Sequence, residues 1–147
     1  MPPRHLLLYD GQCGLCNRAL LFVLERDPEG QFAFAPLEGS TARQFEPLLP
    51  SDEKLGESLL FIEEFASASP RLLLRSQALF RLFWLLGGHW RLLGWLYFIP
   101  ATRFFFDPLY RLVAHHRDRF FSRRCLLPQD EHRDRFLPGP VNCRPFI

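Results

Sequence analysis

Residues 5 to 16 read HLLLYDGQCGLC, and the change of character within this stretch decides the fold. His5 to Tyr9 is a short apolar run closed by Asp10 and Gly11, the pattern of a buried strand that ends in a turn. From Leu15 to Arg26 the apolar residues Leu15, Ala19, Leu20, Phe22, Val23 and Leu24 recur at helical spacing and stop before Asp27 and Pro28. Cys13 and Cys16 therefore fall at a strand-to-helix junction.

Working outward, Gln31 to Pro36 alternates Phe32 and Phe34 with small or polar neighbours and predicts a second strand. Ser40 to Leu49 predicts a short helix stopped by Pro50. A third strand is expected through Ser58 to Glu63, and a fourth at Arg71 to Leu74, close enough after the turn at 66 to 70 for an antiparallel hairpin. Ser76 is placed to cap a helix from Gln77 to Leu86, which Gly87 and Gly88 close. The order β, α, β, α, β, β, α is that of the minimal thioredoxin or glutaredoxin topology. The fold class expected is α/β, a mixed four-stranded sheet with helices on its faces and extra C-terminal helices. Those additions are one helix through Trp90 to Phe98 and another from Pro108 to about Arg119. Residues 1–127 are expected to form one domain, and residues 128–147, with their repeated prolines, an irregular tail.

The chain has 147 residues, 48% of them hydrophobic, enough for a core without disulfide staples. Its net charge of +2 conceals a split. Residues 1 to 70 carry five basic and eleven acidic groups, net −6, and residues 71 to 147 carry thirteen and five, net +8. Mutual neutralisation on packing is the favoured reading, against an anionic partner for the basic half. The hydrophobic stretch Leu79 to Ile99 is interrupted by Arg81, His89 and Arg91 and split by two glycines, so it fails as a spanning helix. Its Trp84, Trp90, Trp95 and Tyr97 beside arginines also fit an interfacial helix, although core or dimer packing is favoured. The apolar run near the N-terminus is too short for a signal-peptide core, which points to the cytoplasm.

Four cysteines are too few for a disulfide scaffold, and a CxxC in a reducing compartment means redox chemistry or metal. A thiol is nucleophilic as its thiolate, and the first turn of a helix favours that form through unpaired N–H groups and the positive end of the dipole. Cys13 is assigned as the nucleophile. Cys16, one turn along, is assigned as the resolving thiol that attacks a mixed disulfide at Cys13. Asp10 is either the base that deprotonates Cys16 or a ligand for the turn backbone, the second being preferred. Gly11, Gly14 and Leu15 are the candidate substrate contacts. A zinc site of four cysteines, Cys13, Cys16, Cys125 and Cys143, or of three with one histidine, is the weaker alternative, because no second CxxC completes it and the adjacent side chains of His115 and His116 point different ways.

The segment YDGQCGLCNR resembles the signature of the DCC thiol-disulfide oxidoreductase family, named for the Asp and two Cys of a DGxCxxC pattern. FAFAPLEG at 32–39, RSQAL at 75–79 and DPLYRLVAHHRDRFFSRRC at 107–125 are further matches, so the resemblance covers roughly residues 5 to 127. It implies Asp10, Cys13 and Cys16 as signature positions, with Arg117, Arg119 and Cys125 as auxiliary matches. The late stretch of the family reads Asn-Arg-Tyr-Arg where this chain has His116, Arg117, Asp118 and Arg119. No proline immediately precedes the strand expected at 58–63, where thioredoxins carry one. For Cys125 a small buried side chain is favoured over a regulatory thiol, and for the arginines a solvated helix face over an anion site.

The expected activity is thiol-disulfide exchange through Cys13 and Cys16, with no metal and no organic cofactor, and the sequence leaves its direction open. Its partner is a disulfide-containing protein or a low-molecular-weight thiol, with no nucleic acid and with membrane-surface association not favoured. The alternative is a non-enzymatic binding or adaptor module at a membrane surface or in a complex. If the helix starts between the two sulfurs, Cys13 faces solvent beside free N–H groups while Cys16 is set back and loses hydration on ionising. Iodoacetamide near neutral pH should therefore modify Cys13 well before Cys16 in the reduced protein. Equal rates, followed by mass spectrometry of the peptides, would reverse or cancel that assignment.

Overall fold

Five consecutive buried residues, His5–Tyr9, form β1, and this strand lies inside the sheet with a neighbour on each side. The computed structural model describes residues 2–10, 14–49, 59–116 and 134–137. β1 pairs in parallel with β2 (Phe32–Pro36), with Leu7 opposite Phe34, and antiparallel with β3 (Leu60–Glu63), with Leu7 opposite Phe61. β4 (Arg71–Leu74) completes an antiparallel hairpin with β3, and the strand order is β2-β1-β3-β4. This is the mixed four-stranded α/β arrangement of a thioredoxin-like fold.

Side chains alternate across a strand, so β1 feeds two cores. Leu7 and Tyr9 join Phe32, Phe34, Phe61 and Leu73 on one face. Leu20 and Val23 of α1 (Gly14–Arg26) and Ala78 and Leu82 of α3 (Arg75–Leu86) cover that face. Leu6 and Leu8 join Ala33, Ala35, Leu60 and Ile62 on the other, against Ala42 of α2 (Ser40–Gln44). A 3₁₀ turn at Glu46–Leu48 follows α2, so the helix expected through Leu49 is shorter and changes pitch at Phe45. Pro47 explains the change, since it has no N–H to continue the α ladder.

Four expectations about the chain after α2 are corrected. The third strand begins at Leu60, not at Ser58, which lies outside the described residues. α3 begins at Arg75, and Ser76 does not cap it. Strand β4 runs straight into the helix through a left-handed Arg75 (φ 53°), and the buried Ser76 hydroxyl is directed at another helix instead. The helix expected across Trp90 to Phe98 is α4 (Trp90–Gly94) continued as a 3₁₀ turn, Trp95–Phe98. α5 spans Thr102–His115, starting six residues before the expected Pro108, which sits inside it. Proline removes the helical bond to the Phe104 carbonyl. That segment is solvent-facing, where water can replace the partner, and the Phe106 ring packed 5.1 Å from Phe80 anchors the turn.

Within the segment read as a tail, residues 134–137 lie along the outer edge of β2. Phe136 forms a parallel bridge with Phe34, and the Leu137 N–H donates to the Phe34 carbonyl at 2.8 Å. Arg135 donates through Nε to the Phe32 carbonyl at 3.1 Å and pairs with the buried carboxylate of Asp27. That carboxylate also accepts the backbone N–H groups of Gln31 and Phe32, at 3.1 and 3.0 Å. At the same end of the sheet, on β3, Arg81 pairs with Glu63. Both buried pairs join an acid of the first half to an arginine of the second, in keeping with neutralisation on packing. Arg81, which interrupts the apolar run at 79–99, is thus spent inside the fold. No helix among the described residues is long and apolar enough to cross a membrane.

Removing a buried ion-pair partner that also terminates backbone donors is costly. Asp27→Ala should lower the unfolding free energy by about 3 kcal/mol in urea titrations. A loss under about 1 kcal/mol would mean that the Arg135 clasp contributes little.

Candidate active site

β1 delivers the chain to the junction with little freedom. Tyr9, its last residue, is buried, and burial raises its phenol pKa above the ordinary value. Asp10 follows, half-buried. Gly14 opens α1 and is buried, Leu15 comes next in the helix, and Cys16 sits in the first turn, half-buried and packed against the core under that face of the sheet. The first turn holds no acidic side chain, so within it nothing offsets the positive end of the helix dipole. Gly11, Cys13, Arg117, Arg119 and Cys125 lie outside the described residues, as does the side chain of Leu15.

What surrounds Cys16 comes from far along the chain. α5 lies against α3, and two polar contacts beside Cys16 hold it there while a third ties its partner Leu59 to α3. The Ser76 hydroxyl donates to Asp107 Oδ1. The Leu59 N–H donates to the Tyr110 phenol oxygen at 2.6 Å. The Arg75 N–H donates to the Leu59 carbonyl at 3.3 Å. Leu59 thus has both backbone polar groups committed just before β3 begins. The left-handed backbone at Arg75, sparsely populated by residues other than glycine, lies at this same junction.

The space these contacts frame is a pocket of about 340 Å³. Cys16 and Ala19 of α1 form one side, Leu79 and Phe80 of α3 the base, and Phe106 and Tyr110 of α5 another wall, with Leu59 between. Its surface is almost wholly apolar. Sequence reasoning found Cys16 but missed this wall. The signal was present, because RSQAL and DPLYR were both singled out as family-like stretches. In the structure Ser76 of the first meets Asp107 of the second, which gives those residue types a physical reason.

Among the described residues no group of three His, Cys, Asp or Glu side chains is placed to hold a metal ion. His115 and His116 have rings 5.3 Å apart at the end of α5. Leu92, Trp95, Phe98, Phe104 and Phe105 are exposed on α4, the following turn and α5.

Residues 7–123 match the family model described as DCC1-like thiol-disulfide oxidoreductase. The chain is 33% identical over 140 residues to the uncharacterized protein YuxK of Bacillus subtilis (strain 168), an alignment that covers 92% of this chain and 96% of the relative. No solved structure matches it.

The Tyr110 oxygen is the acceptor for a buried backbone donor, and a buried N–H left without a partner costs about 1–3 kcal/mol. Tyr110→Phe should lower stability by that amount in chemical denaturation. A variant as stable as the parent would show that the 2.6 Å contact does not hold α5 in place.

Proposed function

The chain belongs to the DCC1-like thiol-disulfide oxidoreductase family, and from that premise we propose that it reduces disulfides through Cys13 as nucleophile and Cys16 as resolving thiol. The observation that carries this reading is the position of Cys16: in the first turn of a helix that follows a buried central strand, half-covered, beside an apolar pocket. The two cysteines are three positions apart, close to one helical turn.

The exchange runs in two displacements. The Cys13 thiolate attacks one sulfur of the substrate disulfide. A sulfur–sulfur bond to the enzyme forms, the substrate's own bond breaks, and its second sulfur leaves as a thiolate that takes a proton from water. Cys16, its proton released to water, then attacks the Cys13 sulfur, and the first substrate sulfur leaves as a thiolate that takes a proton from water. The substrate has gained two electrons and two protons, and the enzyme holds a Cys13–Cys16 disulfide. A small dithiol or low-molecular-weight thiol returns the pair to the reduced form. Half-burial of Cys16 suits the second step, because a thiol set back from solvent meets the sulfur of Cys13 sooner than it meets an outside disulfide. Asp10, at the end of β1, is assigned to hold the turn that carries Cys13. Gly11, Gly14 and Leu15 are assigned as neighbours of the bound substrate backbone.

Separate replacement of the two sulfurs tests the assignment. Cys13→Ser should abolish reduction of a small disulfide, whereas Cys16→Ser should permit one attack and accumulate a mixed disulfide seen by intact mass. The parent pair should titrate as a two-electron dithiol between about −120 and −300 mV, the span of known redox-active folds. Turnover surviving in Cys13→Ser, or no dithiol titration in that range, would overturn the reading.

A further inference from the structure

We propose that the apolar pocket beside Cys16 is the specificity site, and that it takes a bulky apolar side chain flanking the disulfide of a peptide or protein substrate. The proposal rests on the exchange reading above and names the substrate class for that site.

The wall chemistry comes first. Among the described residues around the pocket, Ser76 and Tyr110 carry hydroxyl groups, and both are engaged: Ser76 donates to Asp107, and the Tyr110 oxygen accepts from the Leu59 N–H. Apart from the Cys16 thiol, the other described wall residues are aliphatic or aromatic, among them Ala19, Leu79 and Phe106. A carboxylate or ammonium group placed there would lose its hydration with nothing in return. Glutathione disulfide, whose substituents are mostly charged, is poorly matched to it.

Continuity with the redox centre decides the occupant. Cys16 is itself part of the wall. In the mixed disulfide, a substrate sulfur is bonded to the sulfur that Cys16 must attack, so the group next to the pocket is the one attached close to that sulfur. A volume of about 340 Å³ lies at the small end of the range of roughly 300–1,000 Å³ for ligand sites, which suits one large side chain and its adjoining backbone. Leu109 and Val113 of α5 border the pocket and are 52% and 44% exposed, and an apolar occupant would cover them.

The position of α5 gives the pocket its reason to exist. The first four strands and α3 would leave the Cys16 face open. The added helix closes it with Phe106, Leu109 and Val113, and the Ser76–Asp107 and Leu59–Tyr110 bonds hold the helix at that distance. An extension that served only to cover the core would not need to leave a cavity against a reactive cysteine.

Three disulfides distinguish the outcomes, each assayed with the reduced full chain: bis-(2-hydroxyethyl) disulfide, the symmetric disulfide of acetyl-Phe-Cys-Phe-amide, and that of acetyl-Ser-Cys-Ser-amide. Burial of one aromatic ring predicts a preference in kcat/KM of roughly tenfold or more for the Phe peptide over the Ser peptide. Ala19→Phe, which fills the pocket, and Val113→Asp, which puts a charge at its exposed mouth, should each bring that ratio to within about twofold of one. Acetyl-Phe-Ser-Phe-amide, which cannot exchange, should inhibit competitively in the parent and not in Val113→Asp. Equal rates for the two peptides while bis-(2-hydroxyethyl) disulfide is reduced, or a ratio that persists in both variants, would overturn the pocket assignment alone. If none of the three disulfides is reduced, the exchange reading fails and this assignment falls with it.

Discussion

A strand buried on both faces must satisfy every backbone polar group with strands on either side and must supply apolar side chains along nearly all of its length. β1 meets both demands. It pairs with β2 and β3, and its alternate residues enter two separate cores. The remaining layers follow from it, with α1 and α3 over Leu7 and Tyr9, and α2 over Leu6 and Leu8. Because β1 is immobilised along its whole length, the turn that leaves it starts from a fixed point. A cysteine in the first turn of α1 inherits that position.

The second half of the chain acts on this frame through a few polar contacts. Asp107 and Tyr110 are one helical turn apart on α5, so they share a face, and both are turned toward α3 and the start of β3. Their partners, Ser76 and Leu59, flank the two strands of the terminal hairpin. Hydrogen bonds with such partners cost little to keep and much to lose, since each removed partner would leave a polar group without water. The result is a helix held close to Cys16 without filling the space between them. Family-like stretches that looked unrelated along the chain, around residues 9–18, 75–79 and 107–113, are thereby brought to one place.

Charge placement follows the same economy. Asp27 ends the excursion after α1 by accepting the first donors of β2, and a residue more than a hundred positions later supplies its counter-ion. Glu63 and Arg81 do the equivalent at the end of β3. A related constraint acts on His5 at the same end, where burial between Phe32 and Phe61 lowers its pKa and favours the neutral ring, whose Nδ1 accepts from the Glu64 N–H. The sign split between the halves of the sequence is, at its buried positions, a device for joining them.

Periodicity and punctuation by themselves determined the order of strands and helices, because they are local: a five-residue apolar run, a helical repeat from residue 15 to 26, and glycines at 87 and 88 each act through neighbours a few positions away. The junction that carries Cys13 and Cys16, and the sheet class that follows from alternating elements, were legible for that reason. Ser76 and Pro108 were misread by the same rules, which assign a serine before a helical repeat to a cap and a proline to a helix start. Tertiary contact overrode both, since Ser76 had Asp107 to bond and the turn before Pro108 had Phe80 to pack on. The pocket wall, the Arg135 clasp on Asp27 and the committed backbone of Leu59 were decided only by the folded chain. Their partners are separated by 31, 108 and 51 positions, and no local pattern encodes which distant group a side chain will meet.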